Sequence, residues 1–296
     1  MSEYKIQLGK LELKNPVILA SGTFDKNIVN KINVNELGGI VTKTVTLKPR
    51  LGNPLPHIIK TKYGFLNSVG LKNQGLKNYL KEELPFWQKF DTLVITSIGG
   101  HSEDEFIQLA KYLNAETEAL EVNVSCPNIK NGLIFGTDPE LLQKLITKIR
   151  KIYHKILIVK LTPNVTDITE TARATLEGGA DVLSLTNTFL GLEIDNQKRK
   201  AKLAKIIGGY SGPAIKPLAL RCVWQVYKNF KCPIIGGGGI ADFNDALDFI
   251  MAGASAVSIG SANYLKPDTS TKIVKSFEKY FRKNKIKNIN QIKGII

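Results

Sequence analysis

The segment ALEVNVSCPN, residues 119–128, begins with the apolar pattern of a β-strand and ends with polar residues of the kind that bind ligands. Residues 119–124 form a short apolar run with valines at alternate positions, which is typical of a β-strand. The run gives way to Cys126 and Pro127, flanked by asparagines at 123 and 128. A buried strand that delivers polar residues at its carboxyl end is the building unit of an α/β active site. The fold therefore depends on how many such strands the chain contains.

Seven further runs resemble this one in length and in their turn boundaries. In chain order the eight runs are PVILA (16–20), GIVTKT (39–44), TLVITSI (92–98), ALEVNV (119–124), ILIVKL (156–161), DVLSLT (181–186), PIIGGG (233–238) and SAVSIG (255–260). Most intervals hold one helical segment, and the clearest is residues 139–153, where Leu and Ile recur at three- and four-residue spacing. Eight β-then-α units predict a TIM (β/α)8 barrel, with residues 1–296 as a single domain.

Three segments depart from the repeating unit. Residues 4–13 alternate around Gly9 and predict a hairpin that closes the barrel bottom. Residues 45–91 form a long insertion after strand 2, and an insertion of this size predicts a cover over the active site. Residues 266–296 carry nine Lys or Arg against two acidic residues and predict a basic C-terminal amphipathic helix.

Composition excludes several classes of protein. With 43% hydrophobic residues, the 296-residue chain can bury a core and is not disordered. It contains no run of 18 apolar residues, and its start lacks the apolar stretch of a signal peptide, so we expect a cytoplasmic protein. Three cysteines without a C-x-x-C pair and three scattered histidines argue against disulfides and metal.

The net charge of +15 leaves two interpretations open. The basic segment 266–296 is a solvated helix face on one interpretation, and a patch for RNA or an acidic partner on the other.

The predicted strand ends carry small, amide and cationic residues, and barrel chemistry takes place at these ends. They supply Ser21, Lys43, Asn123, Cys126, Asn128, Lys160, Asn187, Thr188, the glycines at 236–239, Gly260 and Ser261. Asparagine both donates and accepts, so the set suits an anionic ligand with carbonyl edges. Lys43 has an alternative interpretation as a surface lysine that extends its charge into solvent.

The glycines after the last two strands predict a phosphate site, because barrels commonly bind phosphate there through backbone N–H groups. Gly236 to Ala241 also matches the looser dinucleotide pattern G-x-G-x-x-A. That pattern needs an acidic residue at the next strand end, where this chain has SIGSAN, so we favour the barrel phosphate site.

Cys126 admits two interpretations. A lone cysteine is most often a small buried hydrophobe, and we assign Cys222 and Cys232 to that class. Cys126 instead follows a strand end in a loop with Pro127, a position from which a thiol can move a proton.

Seven motifs occur together and in order along the chain. They are TKTVTLKPRLGNP (42–54), GFLNSVGLKN (64–73), NVSCPN (123–128), FGTDP (135–139), VKLTPN (159–164), SGPAIKP (211–217) and GGGGI (236–240). In combination they resemble class I dihydroorotate dehydrogenases, the flavin enzymes of pyrimidine synthesis, over nearly the whole chain. FGTDPE and SGPAIKPLALR resemble the B type, whose catalytic subunit passes electrons to NAD through a partner with FAD and an iron–sulfur cluster.

The resemblance implies an FMN-dependent oxidation of dihydroorotate to orotate, with a homodimer of catalytic subunits and no membrane or nucleic-acid partner. It implies Cys126 as the base and Lys43 as a catalytic cation. The implied FMN residues are Ser21, Lys43, Thr44, Asn123, Lys160, Thr186, Gly212, Gly238, Gly239, Gly260 and Ser261. The implied substrate residues are Lys43, Asn67, Ser68, Val69, Gly70, Leu71, Asn123, Asn187 and Thr188. One departure is Ser97, where the family pattern has asparagine.

Three alternatives share parts of this pattern. A tRNA dihydrouridine synthase would suit the positive charge, although residues 266–296 are short for its RNA-binding domain. A dihydropyrimidine dehydrogenase-like barrel would reduce uracil, and a scaffold barrel would bind phosphate without catalysis. The lysine at 43 and residues 67–71 favour orotate chemistry.

Overall fold

The structure is a computed structural model that describes residues 6–124 and 132–296. Its strands are β1 (Ile6–Leu8), β2 (Leu11–Leu13), β3 (Val17–Leu19), β4 (Gly39–Val41), β5 (Ile58–Thr61), β6 (Gly64–Asn67), β7 (Leu93–Ile98), β8 (Ala119–Asn123), β9 (Ile156–Lys160), β10 (Val182–Leu185), β11 (Phe189–Leu192), β12 (Ile194–Asp195), β13 (Lys200–Ala201), β14 (Ile207–Ser211), β15 (Ile234–Gly237) and β16 (Ala256–Ile259). Its helices are α1 (Gly75–Asn78), α2 (Leu84–Trp87), α3 (Glu103–Leu113), α4 (Gly132–Thr137), α5 (Pro139–Arg150), α6 (Ile168–Glu177), α7 (Lys216–Phe230), α8 (Phe243–Met251), α9 (Ala262–Leu265) and α10 (Thr269–Lys283).

Eight parallel strands close into a barrel in the order β3, β4, β7, β8, β9, β10, β15 and β16. The last strand pairs with the first, with Val257 opposite Val17. Each of the eight predicted runs contains one of these strands. Every residue of β8 is buried, as expected for barrel strands that are covered on both faces. The predicted TIM barrel is confirmed.

Helix α5 shows how the sequence places a helix on the outside of the barrel. The Asp138 carboxylate accepts a hydrogen bond from the Leu141 amide at 3.1 Å, which satisfies one of the free N–H groups at the helix start. The helix buries Leu142, Leu145 and Ile149 along one face. It ends at Arg150, three residues before the predicted end.

A second sheet was not expected from the sequence. Strands β5 and β6 of the insertion join β11 and β14 in an antiparallel sheet of order β11, β14, β6, β5. The sequences of β11 and β14, FLGL and IGGYS, are short and contain glycine, so they show no clear strand periodicity. The interval between β10 and β15 therefore holds four short strands besides its helix α7, and the sequence did not predict these strands.

The N-terminal hairpin agrees with the structure where it is described, and the C-terminal segment contains one long helix. Strands β1 and β2 form an antiparallel hairpin, and Gly9 adopts a φ of 61° at its turn. A Cβ on Gly9 would lie 3.5 Å from Val182, at the start of β10, so the hairpin packs at the bottom of the barrel. The basic C-terminal segment forms α10, which buries Phe277 and Phe281. Throughout the described ranges, no helix has both the length and the apolar character needed to cross a membrane.

Candidate active site

A cavity of about 400 Å³ opens at the carboxyl ends of the barrel strands. Strand ends form its floor, and residues of β6 and the loop after it form part of its wall. The predicted residues that line it are Ser21, Lys43, Thr44, Asn67, Val69, Gly70, Leu71, Asn123, Lys160, Thr186, Asn187, Thr188, Gly238, Gly239, Gly260 and Ser261. The structure thus gathers sixteen predicted residues from distant parts of the sequence around one cavity.

Three predicted residues stand apart from this lining. Cys126 lies outside the described residues. Ser68 is fully buried, and its hydroxyl has no hydrogen-bond partner among the residues described. Gly212 adopts a φ of 117°, and a Cβ there would lie 2.6 Å from the Cα of Gly64. Glycine at 212 therefore permits the close approach of the residue after β14 to the start of β6, and the predicted ligand contacts of Ser68 and Gly212 stay predictions.

The glycines after β15 and β16 form a cradle at one end of the cavity. Gly238 and Gly239 have φ angles of 125° and 82°, in the region that favours glycine. A Cβ on Gly238 would lie 2.6 Å from the Cβ of Ala219, so a side chain does not fit. At Gly260 the nearest atoms are 3.6 Å from such a Cβ, so protein packing alone does not require glycine there. Glycine at 260 leaves room on the cavity side for a ligand.

Thr186 supplies an independent sign of a ligand at this end. Its side chain lines the cavity, and its hydroxyl oxygen is buried without a hydrogen-bond partner among the described residues. Buried polar atoms are normally satisfied, so an unsatisfied one beside a glycine cradle is expected to meet a ligand. The cradle and this hydroxyl fit the phosphate end of a flavin nucleotide.

Hydroxyl and amide side chains form a connected floor beneath the cavity. The Ser21 hydroxyl donates to the Thr42 carbonyl at 2.8 Å. The Thr44 hydroxyl oxygen lies 3.0 Å from the Ser97 hydroxyl oxygen and accepts from the Asn123 amide at 3.3 Å. Ser97 is fully buried and does not line the cavity, so it acts on the site through Thr44.

Three neighbouring strands place a lysine between two polar residues. Lys160 on β9 lies opposite Asn123 on β8 and opposite Ser184 on β10 in the barrel register. All three residues line the cavity. The Asn187 side-chain amide N–H donates to the side-chain oxygen Oδ1 of Asn123 at 3.4 Å, which extends the row to the loop after β10. The row presents amide groups and one cation to a ligand lying across the barrel mouth.

Lys43 lies between this cavity and a second one, also of about 400 Å³, that includes Asp25 and Glu83 in its lining. The side chain is exposed to these two openings, but the surrounding protein removes part of the hydration of its ammonium group. Burial lowers the pKa of Lys43, Lys72 lowers it further, and Glu83 and Asp25 oppose the shift. Its place in the cavity lining favours a role in the site over the alternative of an ordinary surface lysine.

The second sheet brings the insertion to the cavity. Asn67 on β6 lies opposite Gly209 on β14, and its amide donates to the Gly209 carbonyl at 3.2 Å. The following loop contributes Val69, Gly70 and Leu71 to the lining. The sequence motif GFLNSVGLKN predicted that these residues line the site. The structure adds the physical reason, because the pairing of β6 with β14 holds them at the cavity.

Several lining residues were not predicted. They include His57, Ile58, Phe65, Lys72 and Tyr264. The rings of Phe65 and Tyr264 lie 6.0 Å apart, and the Tyr264 hydroxyl donates to the Gly22 carbonyl at 3.0 Å. Tyr264 directly follows the quoted SIGSAN, and Lys72 lies inside the quoted motif GFLNSVGLKN, so the motifs were the signal that could have found both.

The other titratable candidates do not join the site. Cys222 and Cys232 are buried in the core, which confirms their assignment as hydrophobes. Burial raises the pKa of Cys222 and raises that of Cys232 to about 11, so both stay thiols at neutral pH. In the described part of the chain, no group of three His, Cys, Asp or Glu residues could hold a metal ion.

A barrel with a glycine cradle suited to phosphate and a polar, cationic mouth indicates an enzyme that binds a phosphate-bearing ligand, a class that includes the flavin-dependent oxidoreductases. The family model for dihydroorotate dehydrogenase matches residues 4–281. The catalytic subunit of dihydroorotate dehydrogenase B (NAD(+)) from Alkaliphilus metalliredigens is 44% identical over 98% of this chain and 97% of its own. The same subunit from Desulforamulus reducens is 47% identical over 98% of this chain and 97% of its own. The chain belongs to the dihydroorotate dehydrogenase family.

A solved structure gives the same answer. The crystal structure of dihydroorotate dehydrogenase from Eimeria tenella in complex with ferulenol superposes with a TM-score of 0.82 at 26% identity. The superposition covers 99% of this chain and 88% of the Eimeria chain. The predicted family, barrel fold and oxidoreductase class are confirmed, and the tRNA, uracil and scaffold alternatives are set aside. Members of this family generally use a flavin, and the relatives' name implies a further subunit.

Proposed function

We propose that this chain is the catalytic subunit of an NAD-linked dihydroorotate dehydrogenase. It oxidises (S)-dihydroorotate to orotate with FMN in the synthesis of UMP. The observation that carries the proposal is the meeting, in one cavity, of a glycine cradle with a row of amide and lysine side chains. Family membership supports the reaction, and the cavity supports the assignment of roles.

The cofactor assignment rests on the cradle. Backbone N–H groups near Gly238, Gly239, Gly260 and Ser261 would hold the FMN phosphate, because positive-φ glycines let the backbone approach an anion. The hydroxyl and amide floor that includes Ser21, Thr44 and Asn123 would face the flavin ring together with Lys160, and Thr186 would contact the flavin nucleotide near its phosphate end. The bound flavin supplies the hydride acceptor of the reaction.

The substrate assignment rests on complementary chemistry. Dihydroorotate carries a carboxylate and a ring with alternating amide N–H and carbonyl groups. Asn67, Asn123 and Asn187 both donate and accept and would pair with the ring edges. Lys43 would hold the carboxylate and keep positive charge beside it as the reaction proceeds. Thr188 and the loop from Ser68 to Leu71 complete the predicted enclosure.

Cys126 is the proposed general base. Its thiolate would remove the proton from carbon five of dihydroorotate while a hydride leaves carbon six, so that a C=C bond forms between them. A free thiol has a pKa of about 8.5, and a cationic site would lower that pKa and favour the thiolate. The exclusion of water by the loop that follows Asn123 falls on residues outside the described ranges and stays a prediction.

The electrons need a route away from this chain. We propose that they pass to NAD through a partner subunit carrying FAD and an iron–sulfur cluster, as the relatives' name suggests an NAD acceptor. This chain has three cysteines and no C-x-x-C pair, so a cluster belongs on the partner. The purified chain should therefore reduce an artificial dye with dihydroorotate but leave NAD unreduced.

A substrate comparison tests the proposal. We expect dye reduction with dihydroorotate and none above background with 5,6-dihydrouracil, which lacks the carboxylate. Equal rates with both compounds would contradict the role of Lys43 and favour a uracil enzyme. Reduction of NAD by the chain alone would contradict the proposed partner.

A further inference from the structure

Three charged side chains form a cluster directly behind the glycine cradle. Lys216 is the first residue of α7, and its ammonium lies 2.6 Å from an Asp245 carboxylate oxygen and 2.6 Å from an Asp248 carboxylate oxygen. The Lys216 and Asp245 side chains are 23% and 18% exposed, so the pair is mostly shielded from solvent. Nothing in the sequence motifs assigned a role to these three residues.

The cluster holds the glycine loop from both sides. The second Asp245 carboxylate oxygen accepts a hydrogen bond from the Ala241 amide at 2.9 Å, at the far end of the loop. On the near side, a Cβ on Gly239 would lie 2.6 Å from the backbone nitrogen of Lys216. Lys216 therefore contacts the loop through its backbone and secures it again through Asp245.

The charges of the cluster do not cancel. One ammonium faces two carboxylates, so the cluster carries a net charge of −1 close to a cradle that suits an anion. Burial alone would lower the pKa of Lys216, but the hydrogen bonds and charges of Asp245 and Asp248 raise it overall. Lys216 thus stays cationic at neutral pH. Without it, two uncompensated carboxylates would repel a phosphate in the cradle.

We propose that Lys216 is a positioning residue for the phosphate end of the flavin. It keeps the glycine loop in its anion-binding shape and neutralises Asp245 and Asp248, which would otherwise oppose a phosphate. This inference rests on the proposed function, in which the cradle takes the phosphate of FMN. Riboflavin has the same ring and ribityl chain as FMN but no phosphate. If Lys216 acts on the phosphate, its loss should therefore weaken binding of FMN and not of riboflavin, whereas a general packing defect would weaken both.

The test measures dissociation constants of the apoprotein for FMN and riboflavin by quenching of flavin fluorescence. We expect Lys216→Met to weaken FMN binding about tenfold, because a partly buried charge pair loses its cation, while riboflavin binding changes less than about twofold. Lys216→Arg should keep most of the affinity for FMN. The control is Lys272→Met, which removes the exposed pair with Asp268 at 2.7 Å on α10 and should change neither constant.

A second variant keeps the test decisive if Lys216→Met does not fold. Asp248 is 45% exposed, so Asp248→Asn should fold normally. It removes one negative charge beside the cradle, and we expect FMN to bind about twofold more tightly with riboflavin binding unchanged. Weaker FMN binding by Asp248→Asn would overturn the charge argument.

The outcomes separate this inference from the function on which it rests. Equal weakening of both flavins by Lys216→Met, or no change in either, overturns the positioning role while the proposed function stands. A wild-type apoprotein that binds neither flavin overturns the proposed function, and the inference falls with it.

Discussion

The two ends of the cavity differ in the groups that line them, because one end is mainly backbone and the other is mainly side chains. The proposed phosphate end consists of backbone from the ends of β15 and β16, with glycines at 237–239 and 260 and the Lys216 cluster behind them. The proposed substrate end consists of side chains such as Lys43, Asn67 and Asn187, which come from the segment after β4, from the insertion and from the loop after β10. A substitution should therefore act through shape at the first end and through charge and hydrogen bonding at the second. The same difference predicts which ligand each substitution affects.

The largest effect is expected at Cys126, the proposed general base. Cys126→Ala should slow dihydroorotate oxidation by about three orders of magnitude, because a positioned base contributes on that scale. The FMN content should stay at the wild-type level. Rates of anaerobic flavin reduction measured by stopped flow, with the visible spectrum as the control, check this prediction. Unchanged rates would remove Cys126 from its role, while Cys126→Ser should keep some activity that grows with pH.

Lys43 offers the next largest effect and tests the substrate end. Lys43→Met should lower kcat/KM for dihydroorotate about a hundredfold, because a charge-assisted bond to the carboxylate is lost. The effect should be absent for binding of a pyrimidine ligand without a carboxylate, such as uracil. Lys272→Met serves as the control for loss of a surface lysine. If Lys43→Met weakened uracil as much as orotate, the lysine would act on the ring and the comparison would need revision.

Gly239→Ala tests the phosphate end. A Cβ would lie 2.6 Å from the Lys216 nitrogen at a φ of 82°, so the loop must shift, and FMN affinity should fall about thirtyfold. The KM for dihydroorotate in enzyme saturated with FMN should change little. Gly9→Ala is the matched control, because it has a φ of 61° and only an ordinary contact 3.5 Å from Val182, far from the cavity. Loss of FMN affinity in both variants would point to general backbone strain.

Lys72→Gln should give the smallest effect, a change in pH dependence. Burial lowers the pKa of Lys43 and Lys72 lowers it further, so removing Lys72 lets the pKa of Lys43 rise. The Lys43 ammonium binds a carboxylate only below that pKa, and binding weakens as pH rises through it. The KM for dihydroorotate should therefore begin to rise at a higher pH in Lys72→Gln than in wild type. A KM raised at every pH, with no shift of the profile, would mean that Lys72 itself holds the carboxylate.

The sequence predicted the barrel better than it predicted the second sheet, for a physical reason. Barrel strands are covered on both faces, so each appears as a continuous apolar run. Strands β11 and β14 face partly outward, and Leu190 and Leu192 are 42% and 50% exposed between glycine-containing neighbours. Their short, mixed sequences do not distinguish a strand from a loop.

The candidate site was predictable where it follows the strand ends. Lys43, Asn123 and Lys160 come directly after or within buried runs, and a barrel brings all such ends together. The Lys216 cluster was not predictable, because it joins the start of α7 to two residues of α8 through tertiary contacts alone. Lys216 and Asp245 lie 29 positions apart in the sequence, and no local pattern links them.

The measurement that tests the central claim most directly is an anaerobic titration of the purified, FMN-loaded chain with dihydroorotate. The account predicts that the absorbance of oxidised flavin, at roughly 450 nm, bleaches in proportion to the dihydroorotate added, with orotate formed in equal amount. It also predicts no bleaching by 5,6-dihydrouracil. A flavin that stays oxidised with dihydroorotate, or bleaches equally with both compounds, would contradict the account.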